Sequence, residues 1–307
     1  MTDNPLVSVI MPVYNGEDTL NIAIKSILDQ SYKNFEFIIC LDACTDDSEK
    51  IINSFSDKRI ISFKSINRLG LGRNMNRLMY KTSNKSEFIA IAEQDDYYYP
   101  NRLKLQITYL LKNPQKGMVS GIAEFFNGSV VNCKFPGILV NGIEYPTGRS
   151  MFLLNYLEQT KVVNSCMMIR KNIHVENGLY FSTHYPNIAI DWQYYLRFSL
   201  ISEIGGLNEI LVRMDRSPHR VSITQNRNSY NKAARELLKN IKFEYPEIID
   251  RKHYTYALNT QRLIELGHFS GSVFLFYMFV YVLINPLEKR FYYYFLKRLK
   301  RFFKMKV

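Results

Sequence analysis

Cysteine is scarce in this sequence of 307 residues, and its four cysteines form neither a Cys-x-x-Cys pair nor a zinc-type cluster. Cys40 and Cys166 lie inside apolar runs, where a small buried thiol is the usual state. The first residues also lack the basic start and long apolar core that are typical of a signal peptide. These absences argue against a disulfide-stapled secreted domain and predict a reducing, cytoplasmic location.

The wholly apolar segment near the C-terminus is short for a membrane-spanning helix. Residues 273–284 read "VFLFYMFVYVLI", and a helix of that length rises only about 18 Å. The hydrocarbon core of a bilayer is about 30 Å thick, so a spanning helix is not predicted.

Acidic residues are nearly missing from the C-terminal tail. The net charge is +12, and residues 286–307 contain eight Lys or Arg against one Glu. If residues 287–306 form a helix, one face is apolar and the opposite face is basic. The apolar face carries Phe291, Phe295, Leu299, Phe302 and Phe303. The basic face carries Arg290, Lys297, Lys300, Arg301 and Lys304. This pattern predicts an interfacial helix with its apolar face in a membrane surface and its cations towards anionic headgroups. A helix packed on the protein's own core, with a solvated basic face, remains the alternative.

Nucleic-acid binding is a second use that positive charge suggests. Here the cations are concentrated in an aromatic amphipathic tail, and no recognised nucleic-acid motif precedes it. No nucleic-acid partner is therefore predicted.

The chain alternates short apolar runs with helical patterns over its first 125 residues. The apolar runs are 6–13, 35–42, 60–65 and 88–93. Strands with little internal polarity that alternate with helices indicate a parallel sheet covered on both faces. We predict an α/β domain over 1–225, with a nucleotide-binding half at 1–116 and an acceptor half at 117–225. A helical extension is predicted for 226–307.

Three acids follow the fourth apolar run in the stretch "FIAIAEQDDYYYPNRL". Glu93, Asp95 and Asp96 lie where a strand ends, and ligands of parallel sheets bind at the carboxyl ends of the strands. Converging carboxylates repel each other unless a cation lies between them. A hard divalent ion would suit that position, with phosphates completing its coordination. Turn and helix-cap roles explain such acids equally well when the cluster is considered alone.

Four motifs in chain order favour the metal site over the turn and helix-cap roles, because together they resemble a known family. "MPVYNG", "LDACTDDS", "NRLGLGRNMN" and "EQDDYYYPNRL" follow the four predicted strands. Together they resemble the nucleotide-sugar-dependent, inverting glycosyltransferases of family 2, and the likeness covers roughly residues 5–222. The resemblance implies the GT-A fold, a Rossmann-like and mostly parallel sheet flanked by helices.

The resemblance also implies a nucleotide site. Pro12, Tyr14 and Asn15 would form a wall around the base, and Asp42 would accept a ring N–H. The other residues that the resemblance assigns to the nucleotide-sugar are Asn67, Arg73, Asn76, Glu93 and Gln94.

A divalent ion, Mn²⁺ or Mg²⁺, is the cofactor that the resemblance implies. Asp95 matches the position that ligates the ion, Asp96 stands beside it, and His219 in "VRMDRSPHRVS" is a further candidate ligand. Such an ion neutralises the charge that builds on a departing diphosphate.

A general base must take the proton of the acceptor hydroxyl as it attacks the sugar. Asp191 in "NIAIDWQYYLRF" matches the family's base position, although an Asp at the start of a helix is ordinarily a cap.

The predicted function is transfer of a sugar from a nucleotide-sugar, UDP-linked, with inversion. The predicted acceptor is a saccharide or lipid-linked saccharide in bacterial surface polysaccharide (capsule or O-antigen) synthesis, and the predicted place is the inner face of the cell membrane. Ala43, Glu93 and Ile190 depart from the family pattern, so a catalytically inactive, membrane-associated assembly protein is the alternative. A nucleotidyltransferase would need a basic phosphate-binding loop after the first strand, and "PVYNGED" has none.

Overall fold

The computed structural model describes residues 4–128, 130–184, 189–216 and 227–304, with backbone alone for 301–304. The chain divides into two compact units. The first runs to Asn155 and resumes at Thr160, and the second combines Tyr156–Gln159 with the chain from Thr224 onward.

The first unit is built on one mixed sheet, with nine strands in its described part. They are β1 (Leu6–Val13), β2 (Phe35–Asp42), β3 (Ile60–Ser65), β4 (Ser86–Ile91), β5 (Asp96–Tyr98), β6 (Lys116–Phe126), β7 (Val131–Phe135), β8 (Met168–Arg170) and β9 (Glu203–Asp215). Their spatial order is β3-β2-β1-β4-β8-β6-β9-β5, and β7 pairs with Ala123–Phe126 of β6. β1 to β4 are mutually parallel, β8 is antiparallel to both of its neighbours, and β9 is parallel to β6.

The register of the parallel strands brings their carboxyl ends to one edge. Val13 of β1 lies opposite Leu41 of β2, and Asp42 lies opposite Ser65 of β3. On the other side of β1, Ile10 lies opposite Ile91, the last residue of β4. The four loops that carry the family-like motifs therefore leave the sheet side by side.

Eight helices accompany this sheet in the described residues. They are α1 (Leu20–Leu28), α2 (Ser48–Asn53), α3 (Leu71–Lys81), α4 (Arg102–Lys112), α5 (Gly137–Val140), α6 (Gly148–Leu157), α7 (Lys171–Glu176) and α8 (Ile190–Ile201). In α1 the apolar residues Leu20, Ile24 and Ile27 recur on one helical face, and all three are buried in the core with Val9 and Phe37. That burial, rather than helix propensity alone, fixes such short helices.

The second unit is helical. Its long helices are α9 (Arg227–Glu244), α10 (Arg251–His268), α11 (Gly271–Ile284) and α12 (Lys289–Lys304). No helix in the described ranges is both long and apolar enough to cross a membrane.

The inward face of α12 differs from the sequence expectation. Phe291 is buried and Phe295 packs partly buried against a small apolar cluster with Phe274 and Met278 of α11. These two phenylalanines were predicted to face a membrane. They pack on the protein's own helices instead, because α11 supplies an apolar partner directly upstream.

Candidate active site

The acidic loop after β4 is held against the first loop by one amide side chain. Gln94 accepts a hydrogen bond from the Tyr14 backbone N–H at 2.7 Å and donates to the Tyr14 carbonyl at 3.1 Å. Gly16 leaves room for this amide, since a Cβ there would lie 2.9 Å from the Gln94 Cδ. Thr19 donates to the Gln94 carbonyl at 3.1 Å. The loops that carry the motifs after β1 and β4 are thus held together by hydrogen bonds.

The three acids of this loop lie in different environments. Glu93 and Asp95 are partly exposed, whereas Asp96 is buried. Asn164 donates to Glu93, and the hydroxyl of Ser165 donates to Asp96.

Asn164 and Ser165 belong to a 3-10 turn, Asn164–Cys166, that precedes β8. The antiparallel pairing of β8 with β4 brings this turn to the acidic loop, and the Ile91 N–H donates to the Met167 carbonyl at 3.0 Å. No sequence pattern indicates these two contacts, because the partners lie about 70 residues apart along the chain.

Burial raises the pKa of the Asp96 carboxyl to about 6, while the hydrogen bond from Ser165 and the charges of Arg216 and Arg102 lower it. Arg102 lies beneath the loop, fully buried, and donates to the Ile91 carbonyl at 2.6 Å. It is therefore a structural residue of the interior rather than a surface residue of α4. Arg216 is exposed and adds positive charge from the end of β9.

The acidic loop fits a divalent ion that a ligand completes, not an all-protein cage. Within the described ranges, no group of three His, Cys, Asp or Glu residues could hold a metal. Mg²⁺-type ions need only one or two carboxylates when phosphates and water fill the other positions, and Asp95 offers a partly exposed carboxylate. The buried oxygens Asp96 Oδ1 and Asn164 Oδ1 have no hydrogen-bond partner in the described structure, and such atoms mark places for water or a cation.

Asp96 and His219 are the other two predicted metal ligands. Asp96 supports the loop from beneath through Ser165, and its assignment as a metal ligand stays a prediction. His219 lies outside the described residues.

Asp42 at the end of β2 holds the loop between β3 and α3. Its carboxylate is buried, and it accepts from the backbone N–H groups of Leu69 at 2.7 Å and Gly70 at 2.9 Å. Gly70 has a φ of 80°, which glycine adopts without strain. The predicted bond from Asp42 to a nucleobase stays a prediction, and the observed role of Asp42 is to fix this loop.

The other residues predicted to bind the nucleotide differ in their exposure and in their contacts. Tyr14 and Asn15 are exposed, and the guanidinium of Arg68 lies 3.8 Å from the centre of the Tyr14 ring. Asn15 has a φ of 47° and accepts from the Thr45 N–H at 2.9 Å, which joins the first loop to the second. Of the other residues predicted to bind the nucleotide, Asn67 and Arg73 are exposed and Pro12 is buried.

Asn76 on α3 makes a two-point contact with a distant segment. It donates to the Phe181 carbonyl and accepts from the Phe181 N–H, both at 2.8 Å. Gly72 allows this approach, because a Cβ there would lie 2.3 Å from the Ser182 carbonyl oxygen. Phe181 in turn stacks on Tyr194 of α8 with ring centroids 4.4 Å apart. Asn76 therefore connects α3 to the helix that carries Asp191.

Asp191 lies in the first turn of α8. Its carboxylate accepts from the Trp192 N–H at 2.8 Å, and burial raises its pKa while that hydrogen bond lowers it. Trp192 is buried and donates to the Asn155 carbonyl at 2.9 Å, so the only tryptophan fills the core. Tyr194 on the same helix stacks on Phe181, which is hydrogen-bonded to Asn76, so the helix that carries Asp191 is linked to α3.

A family model described as "Glycosyl transferase family 2" matches residues 8–177, more than half of the chain. The chain belongs to this glycosyltransferase family. The predicted family and the mixed α/β, GT-A fold with a helical C-terminal region are both confirmed.

Similar sequences carry glycosyltransferase names. An uncharacterized glycosyltransferase of Haemophilus influenzae is 28% identical over 94% of this chain and 88% of its own length. A UDP-Glc:alpha-D-GlcNAc-diphosphoundecaprenol beta-1,3-glucosyltransferase of Escherichia coli, WfgD, is 35% identical. That alignment covers 42% of this chain and spans half of the relative.

Solved structures share the fold. TarS 1-349 of S. aureus in complex with UDP superposes with a TM-score of 0.61 at 19% identity, covering 87% of this chain and 72% of that one. A mannosyltransferase of Pyrobaculum calidifontis in complex with GDP-Man and Mn²⁺ gives a TM-score of 0.58 at 14% identity, covering 94% and 82%. Likeness at this level of identity concerns the fold.

Proposed function

We propose that this chain transfers one sugar from a UDP-sugar, with inversion, onto a lipid-linked saccharide. The observation that carries the proposal is the joined pair of loops at the carboxyl edge of the sheet, where Gln94 fixes Tyr14 beside the partly exposed Asp95. A parallel sheet binds its ligand at this edge. Because the chain belongs to a glycosyltransferase family, we propose that the ligand at this edge is a nucleotide-sugar.

The first and acidic loops would bind the donor. Tyr14 and Asn15 would contact the base, and Asp95 would hold Mn²⁺ or Mg²⁺ against the diphosphate. When bound, the ion would neutralise the charge of the leaving diphosphate. Support comes from structural neighbours crystallised with UDP-GlcNAc and with GDP-Man and Mn²⁺.

Asp191 would act as the general base. Its carboxylate would take the proton from the acceptor hydroxyl while that oxygen attacks the anomeric carbon from the side opposite the diphosphate. A single displacement of this kind inverts the configuration at that carbon. The raised pKa of Asp191 suits the task, because a base is most effective when its pKa approaches the working pH.

A lipid-linked acceptor is favoured by two relatives. WfgD and WfaP of Escherichia coli are both described as glucosyltransferases that act on alpha-D-GlcNAc-diphosphoundecaprenol. An acceptor of this class resides in a membrane, so we propose a peripheral position on the inner face of the cell membrane and a role in surface polysaccharide synthesis.

Slow hydrolysis of a donor in the absence of acceptor tests the proposal. The purified chain would be incubated with UDP-Glc, UDP-GlcNAc, UDP-Gal and GDP-Man, with Mn²⁺ or with EDTA, and the released nucleoside diphosphate would be measured. We expect release from at least one UDP-sugar with Mn²⁺ only, and unchanged release in the control Asp29→Asn, an exposed acid at the far end of α1. Failure of every UDP-sugar, or equal release in EDTA, would contradict the proposal.

A further inference from the structure

The helix α11 has one buried and one exposed apolar face. Phe274, Met278 and Tyr281 are buried against the other helices of the second unit. The opposite face carries Leu275, Phe276, Phe279 and Leu283, which are 55%, 62%, 63% and 63% exposed. At the helical repeat these four side chains fall within an arc of about 100°. They form a continuous apolar strip, which we call the α11 strip.

Water is a poor environment for such a strip. The helix contains no charged residue along its 14 positions. Single exposed apolar residues are normal on a protein surface, but a contiguous patch marks a partner surface.

The chemistry of the neighbouring helix identifies the partner. The outward face of α12 presents the exposed cations Lys289, Lys297 and Lys300 among exposed Tyr293 and Leu296. Lysine ammonium groups with aromatic and aliphatic side chains are typical of surfaces that bind anionic headgroups and insert into the acyl boundary. A second copy of this chain would bring like charges together, which disfavours a dimer through these faces.

Length decides how α11 meets the lipid. Its 14 residues rise about 21 Å, against about 30 Å of hydrocarbon. The helix would therefore lie in the plane of the interface rather than cross it.

We infer that the α11 strip is the membrane-insertion surface of this protein, with the lysines of α12 contacting anionic phospholipids. This assignment rests on the proposed function only for its biological purpose, access to a lipid-linked acceptor. It differs from the sequence expectation, in which the phenylalanines of α12 would enter the lipid.

Sedimentation with vesicles tests the inference on the full chain. The vesicles would contain phosphatidylcholine alone or with one quarter phosphatidylglycerol. We expect wild type to bind the anionic vesicles more tightly than the phosphatidylcholine vesicles. The double variant Phe276→Ser/Phe279→Ser should bind the anionic vesicles at least about tenfold more weakly than wild type does. Phe243→Ser is the matched control, since Phe243 is 72% exposed on α9 and outside the strip.

A charge variant tests the second half of the inference. Lys289→Gln/Lys297→Gln/Lys300→Gln should lose about tenfold or more of the preference for anionic vesicles. The inference is overturned if the double phenylalanine variant binds like wild type. It is equally overturned if wild type ignores vesicles and forms a dimer that the same variant dissociates in size-exclusion chromatography.

Donor hydrolysis measured without vesicles separates this inference from the proposed function. Vesicle binding without any hydrolysis would remove the enzymatic proposal and leave the α11 strip standing. Hydrolysis by wild type without vesicle binding would contradict only the inference that the α11 strip inserts into a membrane.

Discussion

At the scale of single residues, the environment of a carboxylate determines what it can do. Glu93, Asp95 and Asp96 lie within four positions of the sequence, yet the structure holds Glu93 by Asn164, buries Asp96 on Ser165 and leaves Asp95 partly exposed. Burial raises the pKa of Asp96 to about 6, so this carboxyl keeps its proton to a higher pH than an exposed aspartate does. We propose Asp95 as the ligand of a diphosphate-bound ion, because it is partly exposed and matches the position that binds the ion in the family.

Asp191→Asn removes the proposed base while keeping the shape of the side chain. We expect sugar transfer to fall by about 100- to 10,000-fold, the usual contribution of a general base. Binding of UDP with Mn²⁺ should remain within about twofold of wild type, because the amide is isosteric and lies on α8, apart from the nucleotide loops. Transfer rates and isothermal titration calorimetry measure the two quantities. Transfer at the wild-type rate would exclude Asp191 as the base.

The partners of these acids could not be predicted from one sequence. Motif positions at strand ends follow from hydrophobic runs and from the family resemblance. The contacts of Asn164 with Glu93 and of Asn76 with Phe181 join residues 71 and 105 positions apart. No local pattern encodes a contact of that kind, because it depends on the antiparallel insertion of β8 and on the packing of α3.

At the scale of secondary structure, hydrophobic runs predicted the first parallel strands well, although the edge strand β3 is only partly buried. The predicted runs 6–13, 35–42 and 60–65 coincide with β1, β2 and β3. The strand β9 was not predicted, since Gly205 and Gly206 dilute its β-forming pattern. Both glycines are closely packed: a Cβ at Gly205 would lie 2.3 Å from the Tyr109 ring, and one at Gly206 would lie 2.5 Å from Leu139.

The contact between α3 and the segment before α8 yields a prediction about Asn76. Asn76→Ala leaves the Phe181 N–H and carbonyl without partners, so α8 should lose its fixed position relative to α3. We expect kcat for transfer to fall about tenfold or more, with the donor KM and the affinity for UDP nearly unchanged.

The control for Asn76 is Tyr80→Ser, which changes an exposed residue on the same helix. Steady-state kinetics and calorimetry with UDP measure the split between kcat and binding. If Asn76→Ala mainly weakens UDP binding, Asn76 contacts the nucleotide directly, as the family resemblance implied, and the positioning role is wrong.

At the scale of the whole chain, charge has to be considered by region. The net charge of +12 is concentrated in the tail, where apolar and basic side chains alternate along α12. Helical periodicity predicted an amphipathic helix there. It could not predict which face packs inward, because that depends on the position of α11, against which Phe291 is buried and Phe295 is partly buried.

The proposed enzymatic activity requires the loops after four parallel strands to meet at one edge of the sheet. The register of β1 with β2 and β4 places the loops there. The hydrogen bond from the Tyr14 N–H to Gln94 and the hydrogen bond that Asp42 accepts from the Leu69 N–H hold the loops together. The central claim is that this edge binds a nucleoside diphosphate through an ion held by Asp95.

Calorimetric titration of UDP into wild type and Asp95→Ala, each with Mn²⁺ and with EDTA, tests that claim most directly. We predict that Mn²⁺ strengthens UDP binding to wild type by at least about tenfold, that Asp95→Ala loses this gain, and that the control Asp29→Asn keeps it. Equal affinities with and without the ion, or a full gain in Asp95→Ala, would contradict the account.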